Sequence, residues 1–481
     1  MNPVKGNFIA GEWAGSASGR TAERRNPADE REVVGEAPDS TADDARAAVG
    51  AVSDGYREWA RRSPEARARA LEQAADIMER GADQLAVELV REEGKTLSEA
   101  RMEATRTPAN LRFYAGEALR LAGQTFQPAG EGLVFSSREP VGVVVAITPW
   151  NFPLNIAARK LGPALAAGNG VVFKPSEVTP LMGQRLVEAL LEGGVPAGAL
   201  ALVQGGAEAG AALVDDERVG AVTFTGSYLV GSAIHRAAGP AKRCQLEMGG
   251  KNAVVVLDDA DLDQAADIID RGAFGLSGQA CTGTSRVIVH DAVHEELLKR
   301  LLERARRRRL GNGLDDGVDF GPLATRGQLE KVHRYLEKAI ADGGRLQSGD
   351  EPLPDALAVG YFARPAIFTD VESSSRLAQQ EVFGPVLSMH RASSFEEAVE
   401  IANHSEYGLS AGIVTGSLER ALRFAREVEA GVVKVNQPTT GVAINAPFGG
   451  IKHSSSQTYK EQAGDTMMKF YTIDKTVYIG T

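Results

Sequence analysis

Cysteine is nearly absent: Cys244 and Cys281 are the only two among 481 residues. Two thiols cannot make a disulfide framework, so the fold must rest on its core and hydrogen bonds. Long hydrophobic runs are missing too. The longest, Val141 to Ile147, is far too short to span a bilayer. The segment Met1 to Gly6 lacks the apolar core of a signal peptide, which gives the expectation of a cytoplasmic protein with no membrane partner. There is no basic excess. Fifty-three basic residues against 64 acidic ones leave −11, which argues against nucleic acid as a partner. The basic run Arg304 to Arg309 ends a helical pattern from Val293 to Leu310, where cations suit the carboxyl end of a helix. No fixed-period repeat or low-complexity linker interrupts the chain, and the usual G-x-G-x-x-G phosphate fingerprint does not occur.

What is present describes a globular α/β protein. Hydrophobic residues make up 43%, charged residues 24%, and the 53 glycines suit many tight strand-to-helix turns. After a short strand region around Phe8 to Trp13, residues 41 to 121 read as helices; Pro64 to Arg80 and Ala82 to Glu93, stopping at Gly94, are examples. From Val141 onward apolar β-branched runs alternate with amphipathic helices: Val141–Ile147, Gly170–Phe173, Ala199–Val203, Ala221–Phe224 and Ala253–Leu257. That alternation predicts a parallel sheet covered on both faces. A second alternating region runs from Arg286 to about Val435, and the tail Lys469–Ile479 reads as an edge strand, which neighbouring subunits often cover.

Cys281 lies in Gly278-Gln279-Ala280-Cys281-Thr282-Gly283, small residues among which a substrate can reach a sulfur. A thiolate attacks carbonyl carbon well, but a free thiol has a pKa of roughly 8.5 and needs a base or an electropositive backbone beside it. Glu247, in Leu246-Glu247-Met248-Gly249-Gly250-Lys251, is a candidate base; Lys251 reads as a loop-positioning residue. Phosphate cradles form where a glycine turn joins a strand to a helix, and Phe224-Thr225-Gly226-Ser227 before the helical Tyr228–Ala238 has this layout. Lys174, Ser176 and Glu177 follow the strand Gly170–Phe173, where a carboxylate or lysine can hold a ribose diol. Glu177 favours NAD by repelling a 2′-phosphate, while Lys174 and Ser176 leave NADP open.

Taken in order, Thr148-Pro149-Trp150-Asn151-Phe152-Pro153, Lys174 to Glu177, Phe224 to Ser227, Glu247 to Lys251, Gly278 to Cys281, Glu381-Val382-Phe383-Gly384-Pro385 and Pro447-Phe448-Gly449-Gly450 resemble the aldehyde dehydrogenase superfamily over nearly the whole chain. The resemblance implies an atypical Rossmann-type cofactor domain (1–121 and 141–249), an α/β catalytic domain (250–455) and a small β arm for oligomerisation (122–140 and 456–481), with a homodimer or homotetramer as the assembly. It implies Cys281 as nucleophile, Asn151 as oxyanion donor and Glu247 as general base for thioester hydrolysis. It further implies NAD or NADP held by Ile147, Thr148, Pro149, Trp150, Lys174, Ser176, Glu177, Gly206, Phe224, Gly226, Ser227, Met248, Gln328, Glu381 and Phe383. Glu461 is similar to a second family glutamate used in proton relay.

The resemblance also bears on the aldehyde. Phe152 and Phe448 are expected to line the substrate path. Arg159 stands where relatives acting on succinic semialdehyde carry an arginine for the distal carboxylate, and a guanidinium suits a carboxylate bidentately. Those relatives have a second arginine at the position held here by Gly275, so an exposed or structurally paired Arg159 stays open. The segments Ala430 to Gly441 and Cys281 to Arg286 are similar to the 2-oxoglutarate semialdehyde dehydrogenase branch. The readings are therefore oxidation of a carboxylate-bearing semialdehyde, oxidation of a broad range of aromatic or aliphatic aldehydes, or, remotely, a silent member used for binding.

Overall fold

The computed structural model describes residues 4–456, 459 and 463–480. After an N-terminal antiparallel pair, Thr21–Asn26 with Asp29–Pro38, come four helices: α1 (Ala42–Arg61), α2 (Pro64–Arg80), α3 (Ala82–Glu93) and α4 (Leu97–Arg120). Their ends are written locally. Ser63 accepts a hydrogen bond from the Ala66 N–H at the start of α2, with Pro64 in the first turn, where a missing N–H costs nothing. Gly94 ends α3 in the left-handed region at φ 101°, a conformation glycine takes without steric penalty. Trp59 of α1 is fully buried, and its Nε1 donates to the Leu165 carbonyl at 2.9 Å.

A first seven-stranded sheet runs in the order Arg243–Glu247, Val219–Thr225, Val143–Ile147, Gly170–Lys174, Leu200–Leu202, Asn7–Ile9, Glu12–Ala14. Its first five strands are parallel, and the N-terminal hairpin joins antiparallel. Among the parallel strands the chain visits Val143–Ile147 first, continues outward on one side, then returns to lay Val219–Thr225 on the other side. Such a reversal opens a crevice at the strands' carboxyl ends. Register places Ile147 beside Lys174 and Phe224, and Thr225 beside Glu247. The helices that pack on this sheet include α5 (Asn155–Ala166), α6 (Pro180–Glu192), α7 (Ala207–Asp215) and α8 (Tyr228–Ala238).

A second seven-stranded sheet has the order Arg345–Ser348, Ala366–Thr369, Val386–Ala392, Thr284–His290, Asn252–Val256, Ser410–Val414, Val432–Val435, parallel except at its first strand. The central strands of both sheets are buried along their length, as the β-branched runs predict. Thr472–Ile479 pairs antiparallel with Leu133–Pro140, and a short strand at Thr125–Phe126 completes a third, three-stranded sheet. Two expectations need correction. The segment from Lys469 is not all strand: Met467–Phe470 is a helical turn whose Met467 and Phe470 are buried in the first core, and alternation over so few apolar residues cannot separate the two states. The helix expected over Val293–Leu310 spans His294–Arg307, so Arg308 and Arg309 lie beyond it. No helix among the described residues is long and apolar enough to cross a membrane.

Candidate active site

Cys281 follows a turn in which Leu276, Ser277 and Gly278 all adopt positive φ, 53°, 53° and 73°. Two side chains in succession with left-handed backbone are costly and persist only where the surroundings over-determine them. Here they do. The Leu276 N–H donates to Glu99 Oε1 at 2.7 Å, the Ser277 hydroxyl to the Gly321 carbonyl at 2.7 Å, and the Ala324 N–H to Gln279 Oε1 at 2.9 Å. Asn252 holds the other side, its Nδ2 donating to the carbonyls of Cys281 at 2.8 Å and Gly283 at 2.9 Å. The loop of small residues is thus a fixed mount. The half-buried thiol is pushed well above its ordinary pKa, first by burial, then by the charges of Glu247 and Glu381, although the Thr282 N–H pulls the other way.

Glu247 is the last residue of its strand and fully buried. Its carboxylate acts on the Cys281 thiol and raises its pKa, so the candidate base and candidate nucleophile are neighbours. Behind it Lys160 of α5 is fully buried, with Nζ donating to Thr223 Oγ1 at 2.9 Å and Gln245 Oε1 at 3.3 Å. Burial drives that ammonium's pKa down, and the Glu247 charge opposes the shift.

Asn151 is 2% exposed, and its Nδ2 donates to the Gln279 carbonyl at 2.8 Å, two residues before the thiol. Its own carbonyl accepts from Lys95 Nζ at 2.6 Å. Lys95 and Glu103, both buried, form an ion pair at 2.6 Å. The other oxygen of Glu103 accepts from the N–H groups of Leu154 and Asn155 at 3.0 and 3.1 Å, where a negative charge suits the start of α5. Burial opposes the Lys95 charge, but Glu103 and Glu93 overcome it and raise its pKa. The α3–α4 junction therefore fixes the asparagine. Sequence reasoning did not find Lys95, Glu103 or Lys160, because each acts on a partner distant in the chain.

The expected cofactor residues gather at the carboxyl ends of the first sheet. Lys174 ends its strand, 5% exposed, and the only hydrogen bond of its ammonium among the described residues is to the Pro175 carbonyl at 3.1 Å, leaving donors for hydroxyls; burial lowers its pKa. Ser176 is buried, and Glu177 is exposed beside it. The Ser227 hydroxyl caps α8 by accepting from the Val230 N–H at 3.4 Å. A Cβ on Gly226 would lie 2.5 Å from the Phe224 ring, and one on Gly231 would lie 2.5 Å from Met248 Sδ. Gly206, at the start of α7, has open space beyond it. This donor set, at a sheet reversal and a helix N-terminus, fits a dinucleotide.

Nearer the thiol, Trp150 meets Phe383 edge-on, ring centroids 5.4 Å apart. Phe383 has φ 59°, a strained value for an aromatic residue. Gln328 maintains it by donating to the carbonyls of Val382 at 3.0 Å and Phe383 at 2.6 Å. Half-buried Glu381 accepts from the Gly250 N–H at 3.1 Å; burial raises its pKa against the pull of Lys331 and of the Gly250 N–H. Ile147, Thr148 and Pro149 continue from the central strand into this wall.

On the substrate side, Phe448 is buried in a cluster that packs against Cys281 and Val442, and the Phe152 ring lies 4.7 Å from Lys95 Nζ. Arg159 is not exposed: it is 8% accessible, on α5. A Cβ on Gly275 would find nothing within 4 Å. Glu461 lies outside the described residues. A thiol, a carboxylate near it and a fixed amide donor can together form and hydrolyse a covalent adduct of a carbonyl compound.

Comparison with known proteins agrees with this geometry. The aldehyde dehydrogenase family description matches residues 13–477. The chain is similar to the alpha-ketoglutaric semialdehyde dehydrogenase of Bacillus subtilis, 42% identical over 98% of this chain and 97% of the relative. It is similar to the 2,5-dioxopentanoate dehydrogenase of Saccharolobus solfataricus, 43% identical over 98% of each. Among solved structures, the NAD-dependent aldehyde dehydrogenase of Sinorhizobium meliloti superposes with a TM-score of 0.95 at 36% identity, covering 99% of this chain and 95% of that one.

Proposed function

The chain belongs to the aldehyde dehydrogenase family, and from that premise we propose that it oxidises a carboxylate-bearing semialdehyde, such as 2-oxoglutarate semialdehyde, to the dicarboxylic acid. The observation that carries the reading is Arg159, a buried guanidinium near Cys281 and Glu247 whose charge no carboxylate among the described residues pairs. The names borne by the Bacillus and Saccharolobus relatives point the same way.

In this reading Glu247 takes the proton of the Cys281 thiol as Sγ bonds to the aldehyde carbon. The resulting alkoxide is held by the Asn151 amide and the Cys281 backbone N–H; one such donor contributes about 10²- to 10³-fold in rate. Bound nicotinamide dinucleotide supplies the acceptor for the hydride. The acyl group then remains on Sγ as a thioester. Glu247, having passed that first proton on to solvent, removes a proton from water; the hydroxide adds to the thioester carbon, and the carboxylic acid leaves as Sγ departs as a thiolate. Lys174, Ser176 and Glu177 would hold the adenosine ribose, the Gly226–Ser227 turn the pyrophosphate, and Glu381, Phe383 and Gln328 the nicotinamide end. Ile147, Thr148, Pro149, Trp150, Gly206, Phe224 and Met248 would line the path. Glu177 favours NAD over NADP by charge.

Residues 1–121 with 141–249 are assigned to the cofactor domain and 250–455 to the catalytic domain. The three-stranded sheet is assigned to an oligomerisation arm of a homodimer or homotetramer, supported by exposed Phe126, Leu133, Tyr478 and Ile479. A cytoplasmic location is proposed on the two free cysteines.

The test is NAD(P)H formation at saturating cofactor with 2-oxoglutarate semialdehyde, succinic semialdehyde and benzaldehyde, on the wild type and Arg159→Met. Carboxylated aldehydes should win by kcat/KM and lose that advantage in the variant. Benzaldehyde winning with the variant unaffected would replace this reading by a broad aldehyde dehydrogenase.

A further inference from the structure

The Arg159 side chain makes one hydrogen bond among the described residues, from Nε to Asn110 Oδ1 at 3.3 Å. Its two terminal nitrogens are uncommitted. Besides burial, the groups acting on its charge are Tyr114, Arg106, Cys281 and Glu247. The residue thus has the reaction centre within electrostatic reach and a second arginine as a like-charged neighbour.

That second arginine belongs to α4. Arg106 is exposed, and its Nη2 donates to the Val442 carbonyl at 3.2 Å. Val442 packs on the same small cluster as Phe448 and Cys281, so Arg106 lies at the rim of the substrate side. Asn110 stands one turn further along α4, on the same face as Arg106: its Nδ2 donates to the Arg106 backbone carbonyl at 3.3 Å and to Asn155 Oδ1 at 2.5 Å, while its Oδ1 receives Arg159, so the residue bonded to Arg159 is the neighbour of Arg106. Neither arginine has an ion pair among the described residues, although the other arginines of α4, Arg101, Arg112 and Arg120, all do. Two guanidinium groups brought together, one of them buried, are unfavourable until an anion joins them. Position 275, where an arginine would stand in the succinic semialdehyde pattern, carries no side chain and faces open space.

We propose that Arg106 and Arg159 together bind the distal carboxylate of the aldehyde, Arg106 supplying from α4 the cation that position 275 lacks. This rests on the semialdehyde reading above. Arg159, dry and preset by Asn110, gives the strong paired hydrogen bonds. Arg106, wet and at the rim, draws the anion in and closes on it.

The test is steady-state kinetics of the enzyme with saturating NAD, on 2-oxoglutarate semialdehyde and on pentanal, for wild type, Arg106→Leu, Arg106→Lys and Arg159→Met. For Arg106→Leu the ratio of kcat/KM for the acid over that for pentanal should fall about 10- to 100-fold, mainly through KM, with Arg106→Lys between Leu and wild type. An unchanged ratio in Arg106→Leu, whether both substrates fall together or neither falls, overturns the proposal. If Arg159→Met lowers the ratio and Arg106→Leu does not, the pairing fails and the semialdehyde reading stands. If the wild type prefers pentanal and Arg159→Met changes nothing, both fail.

Discussion

The thiol at the centre of the site is held in an environment that favours its neutral form. Burial disfavours the thiolate, and the nearby Glu247 carboxylate repels it, so the charged form is lost as pH falls and appears only as pH rises past a midpoint above that of a free cysteine. Alkylation of Cys281 by iodoacetamide in the absence of substrate should therefore accelerate with pH, with a midpoint above about 8.5. Glu247→Gln should bring that midpoint down without normalising it, since burial remains. A midpoint unmoved by the substitution would show that the carboxylate does not act on the sulfur. The same residues mark how far sequence reading reaches. Cys281, Glu247 and Asn151 were legible because each stands in a short motif. Lys95, Glu103 and Arg106 were not, because a charged residue on a helix reads as a solvated face until the fold shows what covers it.

Among the elements, the α3–α4 junction is the part on which the site depends most. Lys95, Glu99 and Glu103 lie within one stretch of backbone and reach the Asn151 carbonyl, the Leu276 turn and the start of α5. Lys95→Met would leave Glu103 charged and unpaired in the interior, which costs about 3–5 kcal/mol, readable as a lowered denaturant midpoint. Lys95→Met with Glu103→Gln should regain much of that stability while kcat stays low, because the Asn151 carbonyl still lacks its donor. A double variant with full kcat would reduce the junction to a stabilising role. The start of α2 and the end of α3 could be read from Pro64 and Gly94, whose signals are local chemistry. Sheet order could not, since the return of Val219–Thr225 to the other side of Val143–Ile147 is decided by packing between distant segments.

For the whole molecule, the third sheet carries a group of exposed apolar side chains, Phe126, Leu133, Ile473, Tyr478 and Ile479, of which Tyr478 is 76% accessible. Patches of this kind mark association surfaces. Tyr478→Asp with Ile479→Asp should lower the sedimentation coefficient to that of a smaller assembly; an unchanged coefficient would remove this sheet from the subunit contact.

The third sheet has a further consequence in time. Lys475 and Glu139, which pair across it, are 336 residues apart. At ~5–20 residues per second of synthesis, the strand Leu133–Pro140 waits tens of seconds for its partner, long after α1 to α4 have left the ribosome. A nascent chain thus carries an unclosed edge until Thr472–Ile479 has been made, and a product that stops before that strand keeps the edge open to any other strand it meets.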